Sequence, residues 1–331
     1  MTGFARAGQE ETGAGVALEK PTRRIPLFFS GTPNFVVFGT YIAARVGVFR
    51  RSIVSVILAV ACWHFSAEAA PLLEFPFEFR EGLVWVRVKV HQSAESLNFL
   101  LDSGAGASVI NLRTAKRLGV KLGQRVDVRG VGSSTEGFWS QRLTATASGM
   151  VLPTEYLAVD LAELSRACDC GVDGLLGADF FRGRVVQIDF VERKVRLLPS
   201  SEVDADVSVV DLKTSRGAML AAVAVNDGKP QWMRVDTGCT SSLQWVASGF
   251  KGVAAAGGVS VGLTELNIPS TATTVRLGSA VFDSIPTGLH RRPIFPGESG
   301  LLGNGLLMRF ERVTFDAKRD NLVLQGRRAG F

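Results

Sequence analysis

Two aspartates stand in near-identical company. Asp102 lies in Leu100-Leu101-Asp102-Ser103-Gly104-Ala105-Gly106-Ala107-Ser108-Val109, and Asp236 lies in Arg234-Val235-Asp236-Thr237-Gly238-Cys239-Thr240-Ser241-Ser242-Leu243. In each, the carboxylate follows a short apolar strand and precedes a hydroxyl residue and a glycine that permits a tight turn and a close backbone approach. Two such turns facing each other would hold carboxyls about 3 Å apart, where both cannot readily ionise and one proton is shared. The ionised member can then deprotonate a water, and the protonated member can donate to a carbonyl oxygen. That chemistry hydrolyses an amide without a covalent intermediate, and it uses no metal and no cofactor.

The elements that must position these turns repeat with them. Val172-Asp173-Gly174-Leu175-Leu176-Gly177 is matched by Glu298-Ser299-Gly300-Leu301-Leu302-Gly303, and Val186-Gln187-Ile188-Asp189-Phe190 by Arg312-Val313-Thr314-Phe315-Asp316. Three motifs in one order indicate an internal duplication. It divides the chain after a leading segment, 1–70, into halves 71–200 and 201–331, with Ser200 to Asp204 as the linker. Short alternating runs and glycine-rich turns predict an all-β protein with few short helices. Phe75 to Phe79 and Leu83 to Val90 read as a hairpin turning at Glu81-Gly82. Leu112 to Leu118 reads as a helix capped by Asn111 and ended by Gly119.

Composition prunes the alternatives. The 331 residues are 46% hydrophobic, enough for a substantial core, which excludes a wholly disordered chain. Half of the net charge of +6 lies in the first 70 residues, and no dense basic run follows, so a nucleic-acid partner is not expected. Three histidines, His64, His91 and His290, leave little room for a triad or a multi-histidine zinc site. The four cysteines form no CxxC pair. Arg50-Arg51, the apolar run Ser52 to Cys62 and Ala67-Glu68-Ala69 read as a secretory signal, or else as an uncleaved anchor, and predict an exported, periplasmic or extracellular protein, or one held at the inner membrane.

Asp102 to Ile110 resembles the signature of retropepsin-type aspartic proteases, and Asp236 to Leu243 resembles a second copy. Leu175-Leu176-Gly177 and Leu301-Leu302-Gly303 resemble the turn that packs under each active-site loop in that family. The resemblance implies a bilobal, pepsin-like arrangement of two retropepsin-like β-barrel lobes on one chain, with no need of a homodimer. It implies an endopeptidase acting on peptide or protein substrates, with Asp102 and Asp236 catalytic. Ser103 and Thr237 would cross-brace the two loops, and Gly104 and Gly238 would admit water and substrate. The competing reading is a secreted, non-catalytic relative that binds peptides in the cleft. Gly130-Val131-Gly132-Ser133 fits a flap tip, with Phe138 and Trp139 as candidate substrate-facing aromatics; Gly257, Gly258 and Gly262 are candidates for a second flap. The family's hydroxyl residue three after each Asp is replaced by Ala105 and Cys239. Losing that donor raises the carboxyl pKa values and predicts a less acidic optimum.

Overall fold

The computed structural model describes residues 73–131, 134–201, 207–247, 255–261 and 264–328, and side chains among them apart from those of 255–261 and 264–267. The segment before residue 73, Gly132 and Ser133, Gly262 and most of the expected linker lie outside the described residues. No helix among the described residues is long and apolar enough to cross a membrane.

The fold is bilobal and almost entirely β, with four short helices among the described residues. Its two halves repeat in register as well as in sequence. The strand Leu97–Leu101 runs parallel to Gly174–Leu176, with Leu100 opposite Leu175 and Leu101 opposite Leu176. The strand Gln231–Asp236 runs parallel to Gly300–Gly303, with Arg234 opposite Leu301 and Val235 opposite Leu302. Each Gly-Leu-Leu strand also pairs antiparallel with the strand after the Asp turn, Val109–Asn111 in the first half and Leu243–Val246 in the second. The final glycines pass backbone closely: a Cβ on Gly177 would sit 2.3 Å from the Ala107 carbonyl carbon, and one on Gly303 would sit 2.2 Å from the Ser241 oxygen. That contact explains why the motif ends in glycine.

The third motif joins the halves. Val185–Asp189 pairs antiparallel with Phe310–Asp316, placing Ile188 opposite Val313 and Gln187 opposite Thr314. The buried Gln187 amide donates to the Thr314 hydroxyl at 3.2 Å. Phe181 from the first half packs against Phe315 from the second in a tilted pair, with centroids 4.8 Å apart. Both rings are buried, and each contributes roughly 1.5–3 kcal/mol through apolar area withdrawn from water. Asp189 and Asp316 close turns at the ends of these strands. Asp189 accepts from the backbone N–H groups of Val191 and Glu192 and pairs with Arg196 and Arg312.

Several sequence expectations are refined. The helix spans Leu112–Arg117, and the Asn111 side chain accepts from the Arg113 N–H at 3.0 Å. Gly119 follows with φ +67°. The first hairpin is shorter than expected: only Glu78–Arg80 pairs with Leu83–Val90, while Leu73–Pro76 pairs with Lys194–Leu198 instead. In Leu83–Val90 the alternation holds from Val86 onward, but Trp85 is also buried, because a second apolar cluster covers the other face there.

Candidate active site

The two Asp turns meet back to back. Ser103 and Thr237 are fully buried and separated by 134 residues, and each side chain serves the other loop twice. The Ser103 N–H donates to Thr237 Oγ1 at 2.9 Å, and the Thr237 N–H donates to Ser103 Oγ at 3.1 Å. The Ser103 hydroxyl donates onward to the Val235 carbonyl, and the Thr237 hydroxyl to the Leu101 carbonyl, both at 2.7 Å. Four reciprocal hydrogen bonds use the Ser103 and Thr237 hydroxyls and backbone N–H groups. A buried group left unpaired here would cost about 1–3 kcal/mol.

This brace brings Asp102 and Asp236 together, each half-buried, with each carboxyl set against the other Asp loop. Each carboxyl packs on the other loop's glycine. A Cβ on Gly104 would lie 2.4 Å from the Asp236 carboxyl carbon, and one on Gly238 would lie 2.6 Å from that of Asp102. The two acids are not equivalent. Asp102 Oδ1 accepts from the N–H groups of both Gly104 and Ala105, each at 3.0 Å. Asp236 Oδ1 accepts from the Gly238 N–H alone, also at 3.0 Å. More donors favour the ionised form, so Asp102 is the natural anion and Asp236 the natural carrier of the shared proton. Burial raises the pKa of Asp102 above the usual carboxylate range, against the pull of its backbone donors. Burial first, and then the neighbouring Asp102 charge, push Asp236 up to about 8.

An apolar cavity of about 180 Å³ opens beside the pair. Its first-lobe wall is aliphatic, formed by Leu100, Val109, Leu157, Val159, Leu164 and Leu175. The hairpin of Leu122–Arg129 and Ser134–Ser140 lies over it, with Gly130 and Val131 at the turn. Val131 is buried against Cys239 and Leu301, with Ile294 and Phe295 packed alongside, so the first-lobe flap rests on the second lobe. Phe138 and Trp139 do not face the cavity. Phe138 packs against the main core and Trp139 is 38% exposed, because the cavity side of the hairpin is supplied by Val128 and its neighbours on the preceding strand. A long second-lobe hairpin exists, Ala255–Val261 against Thr264–Leu277, but Gly257 and Gly258 lie within its strand, opposite Ile268 and Asn267, and not at its tip.

Cys239 is buried, with Sγ 3.0 Å from Ser241 Oγ, and burial pushes its thiol up to about 12. Cys168 and Cys170 are half-buried free thiols at the back of the cavity wall. Asp173 is structural: it accepts from the Asn98 N–H and the Thr114 hydroxyl and pairs with Arg117.

Three residues of the site, Arg234, Glu298 and Asn304, receive no role from the motifs. Arg234 lines the cavity with both aspartates and forms a bidentate pair with Glu298, at 2.8 and 2.6 Å. Asn304 donates from its side-chain amide to the Gly82 carbonyl at 2.9 Å and the Thr237 carbonyl at 3.0 Å, tying the first hairpin to the second Asp loop. The available signal for Arg234 was a charge at the strand position that its repeat fills with Leu100.

With this geometry in hand, comparison with known proteins is informative. Residues 86–180 match the family model described as aspartyl protease. The crystal structure of aspartic proteinase from Irpex lacteus shares the fold at a TM-score of 0.51, covering 77% of this chain and 97% of that one at 13% identity. No curated protein sequence matches the chain. The family match lies within the first lobe, and the solved structure shows that the chain shares the pepsin-like fold.

Proposed function

We propose that the chain is an aspartic endopeptidase that hydrolyses peptide bonds in extended substrates lying between the lobes. Asp102, as the anion, takes a proton from a water held between the carboxyls, and the resulting hydroxide adds to the peptide carbonyl carbon. Asp236 donates its proton to the carbonyl oxygen as the tetrahedral diol forms. On collapse, the proton held by Asp102 passes to the leaving amine and a diol hydroxyl returns one to Asp236, restoring the starting state.

The observation that carries this reading is the reciprocal packing of the two Asp turns, each carboxyl seated on the other loop's glycine within a closed cross-brace. Turn-capping aspartates have no need of such an arrangement. Because both loops come from one chain, the enzyme is proposed to act as a monomer, and the basic and apolar leader is proposed to direct export.

The test is cleavage of a diverse peptide library by the chain from residue 71 onward, across about pH 3–8, the range of tuned carboxylates. Cleavage is expected, and Asp102→Asn and Asp236→Asn should each reduce it by at least about 10³-fold with the fold retained. Peptide binding without cleavage by the wild type would overturn the reading in favour of a non-catalytic binder. Undiminished cleavage by either variant would falsify the dyad.

A further inference from the structure

The repeat that builds the two Asp loops changes from apolar to charged at one buried position. Leu100 and Arg234 stand two residues before their aspartates and hold the same register, opposite Leu175 and Leu301. A guanidinium there is costly to desolvate unless its donors are met by a partner of fitting shape. Arg234 Nε and Nη2 donate to the two Glu298 oxygens, and Nη1 crosses to the other lobe and donates to the Gly104 carbonyl at 2.7 Å. The Phe295 ring covers the guanidinium, with the central carbon 3.6 Å from the ring centroid.

Gly104 is the residue whose Cα abuts the Asp236 carboxyl and whose N–H donates to Asp102. A fixed cation from the second lobe therefore grips the one residue of the first loop that touches both acids. The other groups around the pair are few among the described residues. Glu298 neutralises the far side of the guanidinium, Arg129 is exposed on the flap strand, and the buried Cys239 thiol stays protonated.

We propose that Arg234 is a positioning residue of the dyad, locking the first Asp loop through the Gly104 carbonyl and holding a positive charge beside both carboxyls, a role its counterpart Leu100 cannot fill. This rests on the reading of Asp102 and Asp236 as the hydrolytic pair. The Arg234 charge opposes the effect of burial on both acids. Glu298 tempers that charge, so removing either partner should move the pair's titration in opposite directions.

The experiment follows the Asp102 and Asp236 carboxyl carbons by ¹³C NMR in aspartate-labelled protein, with pH profiles of peptide cleavage in parallel. In Arg234→Leu the titration is expected to move up by about one pH unit, the lower end of the effect of a close opposite charge. In Glu298→Gln it is expected to move down. Arg234→Lys should keep the wild-type titration while lowering kcat, because an ammonium cannot grip Glu298 and Gly104 together. If Arg234→Leu does not fold, the apolar pair Arg234→Leu/Glu298→Leu replaces it, with the same upward direction expected. An unmoved titration in the folded leucine variant, or a shift of the same sign in Glu298→Gln, overturns the proposal. The NMR arm needs no activity: a wild type that cleaves nothing but shows the opposed shifts removes the peptidase reading and leaves the role of Arg234 standing. Cleavage with no shifts does the reverse.

Discussion

The first Asp carboxyl is served chiefly by the backbone of its own turn, and the second stands among polar and charged side chains. Asp102 accepts two N–H groups from its own turn, while Asp236 accepts one. Behind Asp102 the wall is aliphatic; behind Asp236 stand Arg234 with Glu298, the buried Cys239 and the bridging Asn304. The backbone frame is duplicated to the level of strand register, but the electrostatics are not. A two-fold frame gives two identical acids sharing one proton; here the surroundings of the two differ. On the proposed reading, that asymmetry would assign the base and acid roles that the frame alone would leave shared.

The sharpest way to break this comparison is to fill the two reciprocal contacts. A methyl on Gly104 or Gly238 would lie 2.4 or 2.6 Å from the opposing carboxyl carbon and must displace it. A displacement on the order of 1 Å at reacting groups costs about 10²-fold in rate. Gly104→Ala should cost more than Gly238→Ala, because Arg234 also fixes the Gly104 carbonyl and the first loop has less room to yield. Steady-state kcat/KM of the two variants on one peptide tests the ranking. Equal losses would show that the Arg234 grip adds no stiffness.

The next effect is on stability and separates the two acids. The folded-state pKa of Asp236 is raised to about 8 from an ordinary value of 3.8. The folded form therefore holds a proton that the unfolded chain releases. Its favourable contribution is complete below about pH 4 and is lost as pH rises towards 8. Asp236→Asn removes this dependence. It should match the wild type near pH 4 and melt several degrees higher near pH 8, a shift of the order expected for a few kcal/mol. Asp102→Asn should gain less, because it gives up a carboxylate held by two backbone donors. Thermal unfolding followed by circular dichroism at both pH values reads this out; a wild type whose stability rose from pH 4 to 8 relative to Asp236→Asn would reverse the sign and contradict a raised pKa.

What the sequence made legible follows from where the constraint is local. The Asp-Ser-Gly and Asp-Thr-Gly turns and the Gly-Leu-Leu-Gly strands are legible because a turn, a buried hydroxyl and a glycine with no room for Cβ restrict consecutive positions. The all-β class followed from alternation such as Val86, Val88 and Val90 in Leu83–Val90. Long-range choices were not legible. Phe75 pairs with Val195 and not with the neighbouring hairpin, a decision made by a strand 120 residues later. Arg234 finds Glu298 across 64 residues, and a lone arginine in a strand ordinarily reads as solvent-facing. Phe138 and Trp139 looked like cavity aromatics because flap position was inferred from glycine content, whereas facing is set by the register with Leu157–Val159.

The smallest expected effect sharpens the comparison most finely, because it adds one hydroxyl at a time. Ala105 and Cys239 occupy equivalent places three after each aspartate, and neither carries a hydroxyl. Ala105 is half-buried and its N–H already serves Asp102, so Ala105→Ser adds a donor to the better-served acid. Cys239 is buried, its N–H is directed to the Asp236 carbonyl, and its thiol is a weak donor engaged with Ser241. Cys239→Ser therefore offers a stronger donor beside the acid that has only one. Both substitutions should move the pH profile of kcat/KM towards acid, by a fraction of a pH unit. The shift should be larger for Cys239→Ser, acting chiefly on the alkaline limb where Asp236 loses its proton. Ala105→Ser should act on the acid limb, where Asp102 gains one. Equal shifts on the same limb would mean that the pair titrates as one unit and that the loops do not divide the two roles.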